Sequence, residues 1–317
     1  MSAELHQWSC LSEAACPPRV LPAPQLRHAL NSLSSSRARR LAAAALAIEA
    51  QDARSAGCLG FMARIFIQAT LPHSRPRSHE FERVNGHFSL QMHAPPSVGL
   101  PYGSYPRLVL CWLATEAVRT RSRTLQLGPS LSAFMHQLSL TPVTGRRGTK
   151  LRLADQLHRL FSTTVRWTDR SEDEPARLSG TGYSLAHRHD LWWSPQDPDQ
   201  HPLWSSTVTL GADFFAEILH HPVPVDLRAL AALRGSPLAL DIYTWLTYRL
   251  SYLRRPCLIP WPGLESQFGG AYGRHRDFRR RFLSRLASVL CLYPRARCTE
   301  TRAGLLLKSS PPHVDRH

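Results

Sequence analysis

The chain has 317 residues, 43% hydrophobic and 9% aromatic, which suits about two globular domains and excludes a wholly disordered basic tail. Lys and Arg number 39 against 23 Asp and Glu, a formal net charge of +16, and Lys150 and Lys308 are the only lysines. A field of that sign attracts polyanions, and guanidinium groups fork onto phosphates and guanine edges as ammonium groups cannot. A GC-rich genome would explain Arg over Lys, but not the excess of base over acid. The seven cysteines form an odd set without a CxxC pair, and Cys111, Cys257 and Cys291 lie in apolar runs. No disulfide framework or zinc site is expected, and a reducing cytoplasm fits. No stretch approaches the roughly 20 apolar residues of a membrane span, so no membrane partner is expected.

Residues 1–57 read as an N-terminal arm, disordered or helical. Pro17, Pro18, Pro22 and Pro24 break its start, and Leu41–Ala53 is Ala-rich and helix-prone. Leu26, Leu30 and Leu33 share a helix face, which leaves a homodimer open. The basic run ending at Arg40, followed by Leu41–Ile48, imitates a signal sequence but starts far from Met1 and runs into Glu49 and Asp52. In the lead-in that follows, Phe61–Ile67 and Phe88–Met92 read as strands, with a hairpin signal at Asn85-Gly86.

One order of elements then occurs twice. The first copy runs through helix Arg107–Val118, strand Thr124–Leu127, helix Leu131–Leu140 with Ser130 as N-cap, and a basic helix at about Arg147–Phe161. The β segments Thr164–Trp167 and Ser184–His187 end this copy, and strand Ser206–Leu210 and helix Ala212–Leu219 close the first domain, 58–221. The second domain, 222–317, opens with helix Asp226–Leu233, which should stop near Gly235-Ser236-Pro237. Helix Leu238–Leu253, strand Cys257–Pro260, short helix Gly263–Phe268, basic helix Arg274–Leu290 and strands Arg295–Thr299 and Gly304–Lys308 follow. Helix, strand, short helix, basic helix and hairpin is the order of a winged helix. The expected fold is α+β, with two tandem winged-helix domains behind the arm.

The two basic helices are the candidate recognition helices for double-stranded DNA. In the first, Ala154, Leu157, Leu160 and Phe161 make the core face, and Arg152, Gln156 and Arg159 share the opposite stripe. Arg146, Arg147 and Lys150 crowd its N-terminus, where the helix dipole favours phosphate. In the second, Phe278, Phe282, Leu286 and Val289 form the core face, while Arg276, Arg280 and Arg281 point roughly the other way and Arg274 stands at the start. Five arginines in eight residues repel one another unless a polyanion or water relaxes them. Arg279 and Arg285 lie nearer the core edge, where their stems can pack and their heads reach water. A solvated amphipathic face is the competing account of both stripes.

No catalytic residues, cofactor or metal are expected. His187-Arg188-His189 has metal-ligand spacing, but a hydrophobic middle residue and a third ligand are missing. Gly145-Arg-Arg-Gly-Thr-Lys150 lacks the ending of a phosphate loop, and no GxGxxG, HExxH or GxSxG occurs.

Several segments carry a family likeness: Gly60–Arg64, Gly99-Leu-Pro-Tyr-Gly-Ser-Tyr-Pro-Arg-Leu108, Leu131–Met135, Leu191-Trp-Trp193, Pro222–Asp226 and Ser236–Trp245. On these the chain resembles the RepA-type plasmid replication initiators from about residue 58 to 313. It departs at Thr144–Thr149, where a Gly-Gly-Arg-like run would be the family pattern. The resemblance implies a bacterial, plasmid-encoded, cytoplasmic initiator that binds repeated origin sites (iterons), recruits the host replication initiator and helicase, and controls copy number through monomer–dimer exchange. A transcriptional repressor on the same fold and a rolling-circle nicking enzyme remain the alternatives.

Overall fold

A computed structural model describes residues 35–170, 178–191, 206–269 and 273–315. The helix face of Leu26, Leu30 and Leu33, the pair Trp192-Trp193, and Gly270 lie outside the described residues. The first described element is helix α1 (Ser35–Ala50), which starts before the Ala-rich run and stops before Ala53. It packs against the body of the protein with Leu41 fully buried. Strand β1 (Leu59–Ala63) leads into one turn of helix, α2 (Ile65–Gln68), then hairpin β2 (Glu80–Asn85) and β3 (Phe88–His93). The single strand expected over Phe61–Ile67 is therefore two elements. Ile65, Phe66 and Ile67 are all buried, and a continuous apolar run reads equally as a buried strand or a buried helical turn.

The first unit follows in chain order: α3 (Ser104–Thr120), β4 (Thr124–Gly128), α4 (Leu131–Gln137), α5 (Thr149–Phe161), β5 (Thr164–Arg170), β6 (Leu178–Ser184), β7 (Ala186–Asp190) and β8 (Ser206–Leu210). Ser130 caps α4 by accepting the Ala133 N–H at 3.1 Å. Helix α6 (Ala212–His220), strand β9 (Pro222–Asp226) and helix α7 (Leu227–Leu233) connect to the second unit. That unit is α8 (Pro237–Leu250), β10 (Cys257–Pro260), α9 (Trp261–Phe268), α10 (His275–Leu292), β11 (Cys298–Glu300) and β12 (Gly304–Leu307). Ser236 caps α8, and Pro237 stands in its first turn.

Both units close with an antiparallel three-stranded sheet in which the first strand lies beside the last, β4-β8-β7 and β10-β12-β11. The pairing corrects one expectation about the first unit. The hairpin after the basic helix is formed by β5 and β6, but the segments Thr164–Trp167 and Ser184–His187 meet in it only at Thr164 and Ser184, and it does not join the sheet of β4. Strands β5 and β6 instead extend hairpin β2–β3 into a separate sheet, β2-β3-β5-β6, with Thr164 opposite Ser184. The chain turns at the buried Leu185 and enters β7, so Ser184–His187 spans two sheets.

The halves are packed through their leading helices. Nearly every residue of α8 is buried, including Asp241, Thr244 and Thr247, as expected of a helix enclosed on all sides. Arg107 of α3 donates to both carboxylate oxygens of Asp241, at 2.6 and 2.7 Å. Its other N–H groups reach the carbonyls of Leu71 (2.7 Å), Pro72 (3.2 Å) and Gly103 (2.7 Å). His73 Nε2 completes the cluster, 2.7 Å from Asp241. Burial opposes ionisation of Asp241, but Arg107 and His73 outweigh it and hold the carboxyl below its usual range. Burial pushes the His73 imidazole down, so a neutral ring donates to the carboxylate. A further link joins β1 to β9, Leu59 opposite Asp226.

Candidate nucleic-acid interface

Helix α10 is built on Phe278, Phe282, Leu286 and Val289, all fully buried. Trp261 meets Phe282 edge-on at 6.1 Å, and Phe268 packs on the same ring at 5.5 Å. These contacts fix the rotation of the helix, and Arg274, Arg276, Arg280 and Arg281 are all exposed. Arg280 meets Asp277 at 3.3 Å, one turn back, an exposed pair that water screens. Arg279 belongs to the structure rather than the surface. It donates to Glu300 Oε1 at 2.7 Å and lies 4.8 Å over the Trp261 ring, tying α10 to β11. Arg302, in the turn between β11 and β12, is exposed. Sequence reasoning passed over it, although a lone arginine at the tip of the last hairpin was a usable signal.

Helix α5 differs. The turn before it is closed by the Gly148 N–H donating to the Gly145 carbonyl at 2.8 Å, and Arg146 and Arg147 between them are exposed. A Cβ on Gly148 would stand 2.2 Å from the Val143 carbonyl oxygen, so only glycine fits. Arg152 is exposed as expected. Lys150 and Gln156 are not; they are 4% and 5% exposed. The Gln156 Oε1 accepts the Tyr102 N–H at 2.8 Å. Arg159 bonds Asp155 at 2.9 Å, and its guanidinium lies 5.8 Å from the Tyr102 ring centre. Its side chain is only 11% exposed. Gly99, at φ +77°, makes room for it, since a Cβ there would lie 2.7 Å from Nη1. The stripe Arg152–Gln156–Arg159 is thus not one outward face: loop 99–103 covers two of its three members.

The described residues contain no group of three His, Cys, Asp or Glu side chains placed to hold a metal ion. Arg188 is exposed and pairs with Asp190 at 3.0 Å. No described helix is long and apolar enough to cross a membrane.

The family model for plasmid encoded RepA protein matches residues 100–259, and the chain belongs to that family. The match runs from the loop that covers α5 to β10, and so leaves α10 outside it. Two crystal structures of domains 2 and 3 of RctB are similar to the chain at 13% identity. One covers 75% of this chain and 94% of its own with a TM-score of 0.45; the other covers 77% and 96% with a TM-score of 0.46. No curated protein sequence matches the chain.

Proposed function

We propose that the chain is a plasmid replication initiator that binds repeated double-stranded DNA sites through two winged-helix units and carries out no chemistry itself. The carrying observation is the outer face of α10, where Arg274, Arg276 and Arg280 stand exposed on a helix whose opposite face is locked by buried phenylalanines. A long helix enters the major groove in this class of fold, and arginine is suited to guanine O6 and N7. The recurrence of one strand order, first beside last, behind two such helices supports a pair of units reading neighbouring half-sites. Membership of the RepA family supports replication initiation as the purpose of that binding.

In this reading the first unit contributes Arg146, Arg147 and Arg152, whereas Lys150, Gln156 and Arg159 serve the fold. Recruitment of a host initiator and helicase, copy control and a homodimer belong to the same reading and rest on the family alone. The test is a nuclease footprint on the DNA flanking the gene, paired with a plasmid carrying only the gene and that DNA. Protected repeats together with plasmid replication are expected. Protection without replication would make the chain a repressor, and a covalent 5′-phosphotyrosine adduct would make it a nicking enzyme.

A further inference from the structure

Helix α1 lies across α7 and α10 and is fixed there. Arg228 of α7, held by Asp226 at 2.7 Å, donates to the carbonyls of Ala47 and Gln51, each at 2.8 Å. A cation at that end also suits the helix dipole. Leu41 of the same helix is fully buried in the core. Docking in this position sets the helix that carries Arg37 and Arg40 against α10, which carries Arg281, and against α7, whose C-cap is Arg234.

Burial, then Arg40 and Arg281, push the Arg37 guanidinium down; burial, then Arg40, do the same to Arg234 against a smaller opposing effect of Tyr105. No described carboxylate acts on either of them. Arg37 Nη2 is buried without a hydrogen-bond partner among the described residues. Asp277, the acid of the first turn of α10, is engaged by Arg280. Guanidinium groups gathered without a described acid leave a place for an oxyanion, and their fork geometry fits phosphate as it fits carboxylate.

Position identifies which phosphate. Arg281 follows Arg280 directly, so the cluster continues the exposed arginines of α10. On the other flank, Arg279 and Glu300 neutralise each other. The positive surface extends toward α1 as well as toward the exposed Arg302 of the last hairpin. We propose that Arg37, Arg40, Arg234 and Arg281 form a second phosphate-binding site, through which the docked α1 lengthens the DNA contact of the second unit. This rests on the DNA-binding reading above. The site carries affinity and no base preference, since phosphates are the same at every base pair.

The test uses the full chain, the variant R37Q/R40Q and a charge-matched control, R75Q/R77Q, altered at two exposed arginines of the loop before β2. Affinity is measured against salt on the DNA flanking the gene and on a scrambled duplex. In R37Q/R40Q the log–log slope should fall by roughly 1.8, about 0.9 for each lost contact. The ratio of affinities for the two duplexes should not change. The melting temperature should hold or rise, because like charges are relieved, and R37K/R40K should restore most of the slope. Should R37Q/R40Q fail to fold, Arg40→Gln alone, at an exposed position, should lower the slope by roughly 0.9. A wild-type slope in the folded Arg37/Arg40 variant, or an equal drop in R75Q/R77Q, overturns the site and leaves DNA binding standing. A wild-type chain that binds neither duplex overturns the DNA reading itself.

Discussion

Helices α5 and α10 hold the same place in their units, and each carries arginines opposite an apolar face, but their surroundings differ. Around α5, loop 99–103 lies on the polar stripe, so Gln156 bonds the Tyr102 backbone and Arg159 stacks beside its ring. Around α10, the described residues cover the flanks, α1 on one side and Glu300 of β11 on the other, and leave Arg274, Arg276 and Arg280 exposed. Helical periodicity locates the face turned away from one core. It does not say whether a second layer lies on that face. The charge-rich helix therefore remains the better candidate reader of bases, and the first unit is left with the turn Arg146-Arg147 and with Arg152.

The largest effect is expected where the two units meet. Replacing Asp241 with Ala leaves the Arg107 guanidinium buried without its counter-ion, a loss of about 3–5 kcal/mol. Thermal or urea unfolding should register this as a large drop in stability for the whole protein. A drop confined to one unit would mean that the two are not locked through this pair.

A second effect separates the units by pH. His313 packs behind α10, accepting the Tyr243 hydroxyl at Nδ1 (2.8 Å) and donating from Nε2 to the Leu292 carbonyl (3.0 Å). The Tyr243 oxygen meanwhile accepts the Asp226 N–H. The arrangement needs a neutral ring, and burial lowers its pKa from 6.5 to about 4. The unfolded chain therefore takes up the proton first. Stability is full above about pH 6.5 and is lost as pH falls toward 4, on the order of 3 kcal/mol at most. Unfolding between pH 7 and 4.5 should show this slope, and His313→Gln should flatten it.

A smaller effect is expected at Gln156. Its change to Ala leaves the half-buried Tyr102 N–H without that partner, costing about 1 kcal/mol, and should leave base preference alone. If Gln156→Ala instead relaxed preference at one base pair and spared stability, the two helices would be alike after all.

Much of this organisation was legible in the sequence. Ser130 and Ser236 marked helix starts because an N-cap acts locally. The core face of α10 followed from periodicity, and the mixed role of Arg279 from its place at the edge of that face. What failed depends on contacts distant in the chain. The pairing of β5 with β3, the second layer over α5 and the docking of α1 beneath Arg228 have no local signature. The family-like stretch Gly99–Leu108 supplies both the loop over α5 and Arg107.

The measurement that bears most directly on the account is DNA affinity against salt for two triple variants, Arg274/Arg276/Arg280→Ala and Arg146/Arg147/Arg152→Ala. Both should fold within about 0.5 kcal/mol of the wild type, since the residues are exposed. The α10 variant should lose about 1–3 kcal/mol for each guanine contact and much of its preference for the flanking DNA over a scrambled duplex. The α5 variant should mainly flatten the salt dependence, by about 0.9 per lost phosphate contact. Unchanged affinity and preference in the folded α10 variant would contradict the account.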